Sequence, residues 1–404
     1  MLLLYNISIR AYHFAILIAS IFNSKAKKWL VGRNGLLREA EHRLSGFAGQ
    51  TLWVHCASLG EFEMARPIME RLRGSEPQLR IVLTFFSPSG FEIRKNYPIA
   101  DHVFYLPLDT PQNAKRMVQA IRPNKVIFVK YDLWFHHLHA AKTFGAKLML
   151  ISAQFRPGQH FFKFYGSLGR RTLKLFDRIF LVDSASENLL RSIGVKNTLV
   201  CGDTRYDRVM EIAASAEPNA LIASFKGNSK LVVCGSTWSE DEALLASCVG
   251  RLENTKWIIA PHEVGEENIH RLEKLLPNSV RYSKPNEAVA QILIIDSIGM
   301  LSRLYRYADV AYIGGGFKTG LHNVLEATAY GVPTVFGPDH SRFPDAGEMV
   351  EKGMAFSIRN QSELEAKFSA LLNLDQDEFR ASLIGFMQGR KGATEAILKY
   401  TMDC

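Results

Sequence analysis

The sequence predicts an α/β protein of two successive domains behind an apolar N-terminal helix. Three observations carry that prediction. Short apolar runs alternate with helical segments along both halves, small or polar residues close most of those runs, and the first 22 residues hold few polar side chains. At 404 residues the chain is too long for one ordinary hydrophobic core, so two domains of roughly 150–200 residues are the natural division.

The opening stretch, "MLLLYNISIRAYHFAILIASIF", has the length of about 20 residues that reaches across a bilayer core. Asn6, Arg10 and His13 weaken it as a span, because each polar group is costly in lipid. No small-residue cleavage site of signal-peptide type stands out. "NSKAKKWLVGR" follows, and the first acidic residue is Glu39. The positive-inside bias then keeps the main body cytoplasmic. An ordinary N-terminal core helix is the alternative. On both readings a basic, apolar start suits an anionic membrane surface.

Between Gln50 and Val200 the apolar runs are 51–57, 80–86, 125–129, 147–153 and 178–184, with helical spacing between them. The cycle restarts after "VCGDTRYDRV" with runs at 230–236, 256–262, 291–297, 310–316 and 333–337. Recurring βα units imply parallel sheets covered by helices on both faces. The boundary falls near residues 202–212. Ligands in such sheets bind beyond the carboxyl ends of strands, and a cleft between the domains is the default site.

Composition narrows the partners. At 47% hydrophobic and 22% charged the chain is globular. Its formal net charge of +9 favours nucleic acid, phosphorylated small molecules or anionic lipid. The basic residues do not interleave with aromatics in a nucleic-acid module, so no nucleic acid is expected. Cys56, Cys201, Cys234, Cys248 and Cys404 form no CxxC pair, which points to a reducing compartment.

Several segments could carry chemistry. In "HCASLGEFE" (55–63), Ser58, Gly60 and Glu61 follow a strand and open a helix. Ser58 and Glu61 have the spacing of a capping box, while a carboxylate in a first turn also suits a general base. In "GRNGLL" (32–37) Gly32 and Gly35 can shape a turn, or Arg33 can fork onto a phosphate. Ser87 and Ser89 in "TFFSPSG" offer an anion hydroxyls and backbone donors, though such loops are common. In the second half, Ser236 and Thr237 stand between a strand and a helix, where backbone N–H groups meet phosphate. His262 closes the next strand, and the glycines of "GGGF" (314–317) allow close backbone approach. Asn323 and Glu326 could be another capping pair, next to His322 at the start of "LEATAYG", which reads as a helix. No GxGxxG, GxxxxGK[ST] or GxSxG motif is present.

Taken in order, "GRNG" (32–35), "HCASLGEFE", "TFFSPSG", "YLPLD" (105–109), "GSTWSEDE" (235–242), "PHE" (261–263) and 314–338 make the chain resemble the 3-deoxy-D-manno-octulosonic acid (Kdo) transferases of lipopolysaccharide synthesis. These are inverting glycosyltransferases of GT-B type, with two Rossmann-like domains facing each other across a cleft. The resemblance implies a membrane helix at 1–24, an acceptor domain at 25–205 and a donor domain at 206–404, whose last helix can pack back on the first domain. It implies transfer of Kdo from CMP-Kdo to a lipid A precursor at the cytoplasmic side of a bacterial inner membrane. No metal or other cofactor is expected. The family's base falls on Glu61, and its donor-binding segments on Ser236, Thr237, His262, Gly315, Gly316, Asn323 and Glu326. Lys130, Arg156, Arg205 and His262 are candidates to meet the Kdo carboxylate and the CMP phosphate. Arg33, Ser58, Gly60, Ser87 and Ser89 are candidates on the acceptor or anion side.

The chain departs from the family at 129–138, "VKYDLWFHHL", where Lys130 and Asp132 stand in a usually glutamate-rich run before Trp134. "LHNVLEAT" also lacks the more usual proline after the glutamate. Two other readings remain: a GT-B-like sugar-nucleotide 2-epimerase, and a membrane-associated scaffold that binds a nucleotide without turnover.

Overall fold

The computed structural model describes residues 1–252, 254–284 and 290–403; Cys404 lies outside them. The chain divides into two compact units, Met1–Asp207 with Lys391–Cys404, and Arg208–Arg390.

In the first unit, β1 (Thr51–Cys56), β2 (Arg80–Phe85), β3 (His102–Tyr105), β4 (Lys125–Val129), β5 (Lys147–Ala153), β6 (Arg178–Leu181) and β7 (Thr198–Val200) form one sheet in the order 3-2-1-4-5-6-7. Every pairing is parallel. Alternation along each strand sends side chains to two cores. Trp53, Phe128 and Leu150 pack on one face, and Val54, Ile127 and Ile151 on the other. Burial on both faces is why these strands read as unbroken apolar runs.

Three helices precede this sheet: α1 (Leu2–Ala19), α2 (Ser24–Val31) and α3 (Leu36–Arg43). Ile9 is the one buried residue of α1, so α1 is not a core helix. Its polar side chains turn inward: Tyr5 donates to Asp109 Oδ2 at 2.5 Å, and His136 Nε2 donates to Asn6 Oδ1 at 2.7 Å. The last helix, Ala393–Asp403, belongs to this unit too. Its Ile397 and Leu398 join the core beside Ile68 and Leu72 of α4 (Leu59–Ser75). Both oxygens of Asp207 accept at its start, from Gly392 N–H and Thr394 N–H at 2.7 Å each.

The second unit repeats the plan. β8 (Lys230–Thr237), β9 (Thr255–Pro261), β10 (Ser279–Arg281), β11 (Ile292–Ile294), β12 (Val310–Ile313), β13 (Thr334–Phe336) and β14 (Ala355–Ser357) lie in the order 10-11-9-8-12-13-14 among the described residues. Again all pairings are parallel. In both sheets the first strand of the unit sits inside and the chain then moves outward to each edge, the doubly wound arrangement whose ligand sites lie at carboxyl strand ends.

Candidate functional site

Glu61 stands in the first turn of α4, just past the carboxyl end of β1. The expected capping box does not form. Ser58 is the N-cap but makes no side-chain cap bond, and the Glu61 carboxylate reaches past it to accept Ala57 N–H at 2.6 Å. Burial first, and the Asp132 carboxylate second, push the Glu61 carboxyl up to about 7, against Ala57 N–H and Lys130, which favour its charged form. A carboxyl poised near neutrality can take or give a proton at working pH. Gly60, exposed beside it, leaves this helix start uncovered.

Lys130 follows β4 with φ +59, a left-handed conformation unusual for a lysine. That costs of order 1–3 kcal/mol and is typical of functional sites. The chain turns there to present Asp132, whose Oδ2 accepts from Trp134 Nε1–H at 2.9 Å and His55 Nε2–H at 3.0 Å. Behind His55 a buried relay continues. Its Nδ1 lies 2.9 Å from Thr84 Oγ1, which accepts Trp53 Nε1–H at 2.9 Å. No motif in the sequence singles out His55. The available signal was alternation, which puts a polar His55 on the same buried face as Trp53.

Other residues expected on the acceptor side have structural bonds. Arg33 donates to three backbone carbonyls: Leu106 at 2.8 Å, Phe86 at 2.8 Å and Trp29 at 3.0 Å. Its guanidinium lies 3.8 Å from the Trp29 ring centre, and burial pushes it down to about 9. Ser87 caps the helix Pro88–Arg94 by accepting Ser89 N–H, and the two hydroxyls lie 2.8 Å apart. Arg205 is paired with buried Asp203 at 2.8 Å. Arg156 is exposed, and it is its backbone N–H that donates to Gln159 Oε1 at 3.0 Å.

In the second unit the residues expected to hold a donor converge on an aromatic cluster. Trp238 stacks on His262 at 4.5 Å, and His262 lies 4.7 Å from His322. Trp238 Nε1–H donates to His322 Nε2 at 3.1 Å. Burial, then His262, pushes His322 down to about 4, so it is neutral and accepts. Thr237 is committed: its hydroxyl donates to Glu242 Oε1 at 3.0 Å. Ser236, near the end of β8, takes φ +53, left-handed like Lys130. Asn323 is not a cap, since Val324 holds that position. Its Oδ1 accepts Leu325 N–H and its Nδ2 donates to Glu326, both at 3.2 Å. The helix expected at "LEATAYG" is only Leu325–Thr328. The sequence signal for Trp238 is an indole at a helix start directly after "GST".

The three glycines serve the backbone itself. A Cβ on Gly314 would meet the Ser236 carbonyl oxygen at 2.2 Å, and one on Gly315 the Gly320 oxygen at 2.3 Å. One on Gly316 would meet Gly337 N at 2.6 Å. Asp241, buried under this loop, accepts Gly315 N–H at 2.9 Å and the Tyr312 hydroxyl at 2.8 Å. Close approach is thus between loops of the protein, and it sets the platform on which His322 and Asn323 stand.

Two doubly wound parallel units behind an apolar helix define the class of GT-B-type enzymes, which handle sugar nucleotides. A family model described as 3-deoxy-D-manno-octulosonic-acid transferase (kdotransferase) matches residues 30–208. A 3-deoxy-D-manno-octulosonic acid transferase of Chlamydia muridarum is 30% identical over 344 residues, covering 82% of this chain and 79% of that one. One from Aquifex aeolicus is 28% identical over 335 residues, covering 81% and 87%. The chain belongs to the Kdo transferase family. Among solved structures, a putative UDP-N-acetylglucosamine 2-epimerase from Listeria monocytogenes shares the fold, with TM-score 0.60, 18% identity, and 87% and 95% of the two chains covered.

Proposed function

We propose that this protein transfers Kdo from CMP-Kdo to a hydroxyl of a membrane-borne lipid A precursor and releases CMP. The observation that carries this reading is Glu61: a carboxyl held near neutrality, at the end of a central strand, in a chain that belongs to the Kdo transferase family. An acceptor hydroxyl is a poor nucleophile until its proton is removed as the new bond forms. Glu61 takes that proton, the hydroxyl oxygen attacks the anomeric carbon of Kdo, and CMP leaves from the opposite face with the bonding pair. Inversion follows from the single displacement. Trp238, His262 and His322, with Ser236, Gly315, Gly316, Asn323 and Glu326 around them, hold the nucleotide sugar. Lys130, Arg156 and Arg205 meet its acidic groups, and the apolar α1 keeps the enzyme at the cytoplasmic face of the inner membrane.

A second reading, epimerisation at C2 of a nucleotide sugar, draws on the fold shared with the UDP-N-acetylglucosamine 2-epimerase structure. The two are separated by product analysis. Purified protein is incubated with freshly made CMP-Kdo and tetra-acylated lipid A precursor, and separately with UDP-N-acetylglucosamine, beside Glu61→Ala controls. A Kdo mass increment on the lipid with wild type only supports transfer and counts the additions. A new C2 epimer with no increment overturns it.

A further inference from the structure

The inward face of α1 runs its whole length. Leu2, Tyr5, Asn6, Ile9, His13, Ile16 and Ser20 are buried or half-buried, a spacing of three and four residues that forms one stripe along a helix. Tyr5 and Asn6 bond to Asp109 and His136 near one end, and His13 packs on Trp29 of α2 further along, with ring centres 6.2 Å apart. These contacts run along about five turns, and α1 would have to give them up to cross a bilayer. Its opposite face is open and mostly apolar: Leu3, Leu4, Ile7, Phe14, Leu17 and Ile18, with Leu3 72% exposed and the exposed Arg10 at one side among them.

A second apolar element adjoins the N-terminal end of α1. Phe164 is 93% and Tyr165 51% exposed, on a turn after β5. The turn is braced: Arg170 donates to the carbonyls of Phe161 at 3.0 Å and Lys163 at 2.8 Å, and a Cβ on Gly166 would strike the His160 oxygen. Met1 and Leu4 of α1 line one pocket of about 370 Å³ together with Tyr131, Phe161 and Tyr165, so turn and helix form a continuous surface. Positive charge flanks it at both ends. Arg156, Lys163 and Arg171 are exposed near the turn, and Lys25, Lys27 and Lys28 on the helix after α1.

We propose that the outward face of α1 and the Phe164–Tyr165 turn together form one membrane-contact face, on which α1 lies in the plane of an anionic bilayer instead of crossing it. Basic flanks around an apolar face match a surface of anionic headgroups over acyl chains. Two aromatic side chains entering that boundary contribute enough apolar transfer energy to change partitioning by about 10-fold or more. The proposal extends the transferase reading by giving a lipid acceptor a surface to arrive on, and it is tested without donor or acceptor.

The test uses full-length protein and vesicles of phosphatidylethanolamine with phosphatidylglycerol. A polarity-sensitive fluorophore is attached at Phe164→Cys, at Ile18→Cys, and at Leu374→Cys in the second unit as a water-exposed reference, with labelled unsubstituted protein subtracted. Blue shifts at both 164 and 18, equally quenched by lipids brominated near the headgroup, are expected. The Phe164→Ser/Tyr165→Ser double variant should float with vesicles at least about 10-fold less. A shift at 18 with 164 still in water, the pattern of a helix that crosses with its first residues on the far side, overturns the proposal. So does unchanged flotation of the double variant. Transfer activity enters none of these readouts, so a failed transferase reading leaves them standing.

Discussion

Asp132 is held by His55: the Nε2–H of that fully buried histidine donates to Asp132 Oδ2 at 3.0 Å, the oxygen that also accepts from the Trp134 indole. With one oxygen doubly bonded the carboxylate cannot swing away, and its charge acts on Glu61. Asp132→Asn keeps the shape and removes the charge. The acid limb of the rate profile should then move to lower pH, because a neighbour that favours protonated Glu61 is gone. A limb that stays in place would detach Asp132 from the base.

Glu61→Gln should lower turnover by about 10²–10⁴-fold while the protein stays folded. Stability carries a second signature. Between the ordinary value of 4.5 and about 7, native Glu61 holds a proton that the unfolded chain has released, so stability falls as pH rises through that window. Glutamine cannot lose a proton. The Tm of Glu61→Gln relative to wild type should therefore climb by a few degrees from pH 5 to pH 8, and a flat difference would remove the buried-acid account.

Trp238→Ala deletes the indole that stacks on His262 and donates to His322. Calorimetric titration with a nucleotide sugar should show affinity weaker by about 10-fold, the scale of one base–aromatic stack. Unchanged affinity in a folded variant would make the cluster purely structural.

Arg33→Lys should destabilise nearly as much as Arg33→Ala, since an ammonium cannot reproduce a fork that serves three carbonyls. A loss of about 3 kcal/mol, or roughly 6–12 °C in Tm, is expected. Intact stability with weakened anion binding would return Arg33 to the phosphate-binding role its sequence context suggests.

Gly314→Ala drives a methyl into the Ser236 carbonyl, which has no rotamer with which to give way. About 1–3 kcal/mol of destabilisation is expected in urea titration.

How far the sequence could be read follows from where each strand lies. The ten apolar runs correspond to β1, β2, β4, β5, β6, β8, β9, β11, β12 and β13, central strands covered on both faces. The four strands that escaped, β3, β7, β10 and β14, are the two edges of each sheet. Of these, β7, β10 and β14 bury one residue in three, too few positions to leave a periodic signal, while β3 buries three of four and its apolar run merges into "YLPLD". The candidate site divides similarly. Glu61 and the glycine loop were visible because strand-end and helix-start chemistry is local. The His55–Asp132 pair spans 77 positions in sequence, and only the sheet order, which sets β1 beside β4, brings it together.

The return of the last helix to the first unit has a consequence for biosynthesis. Ile397 and Leu398 complete a core begun by Leu52 and Val54, and Tyr400 packs on Phe180. A ribosome releases the amino end long before residue 391, so until synthesis ends the nascent first unit presents an open apolar groove along α4. Such half-finished surfaces attract chaperones or aggregate. A stop codon a dozen residues early would therefore damage the half of the protein made first.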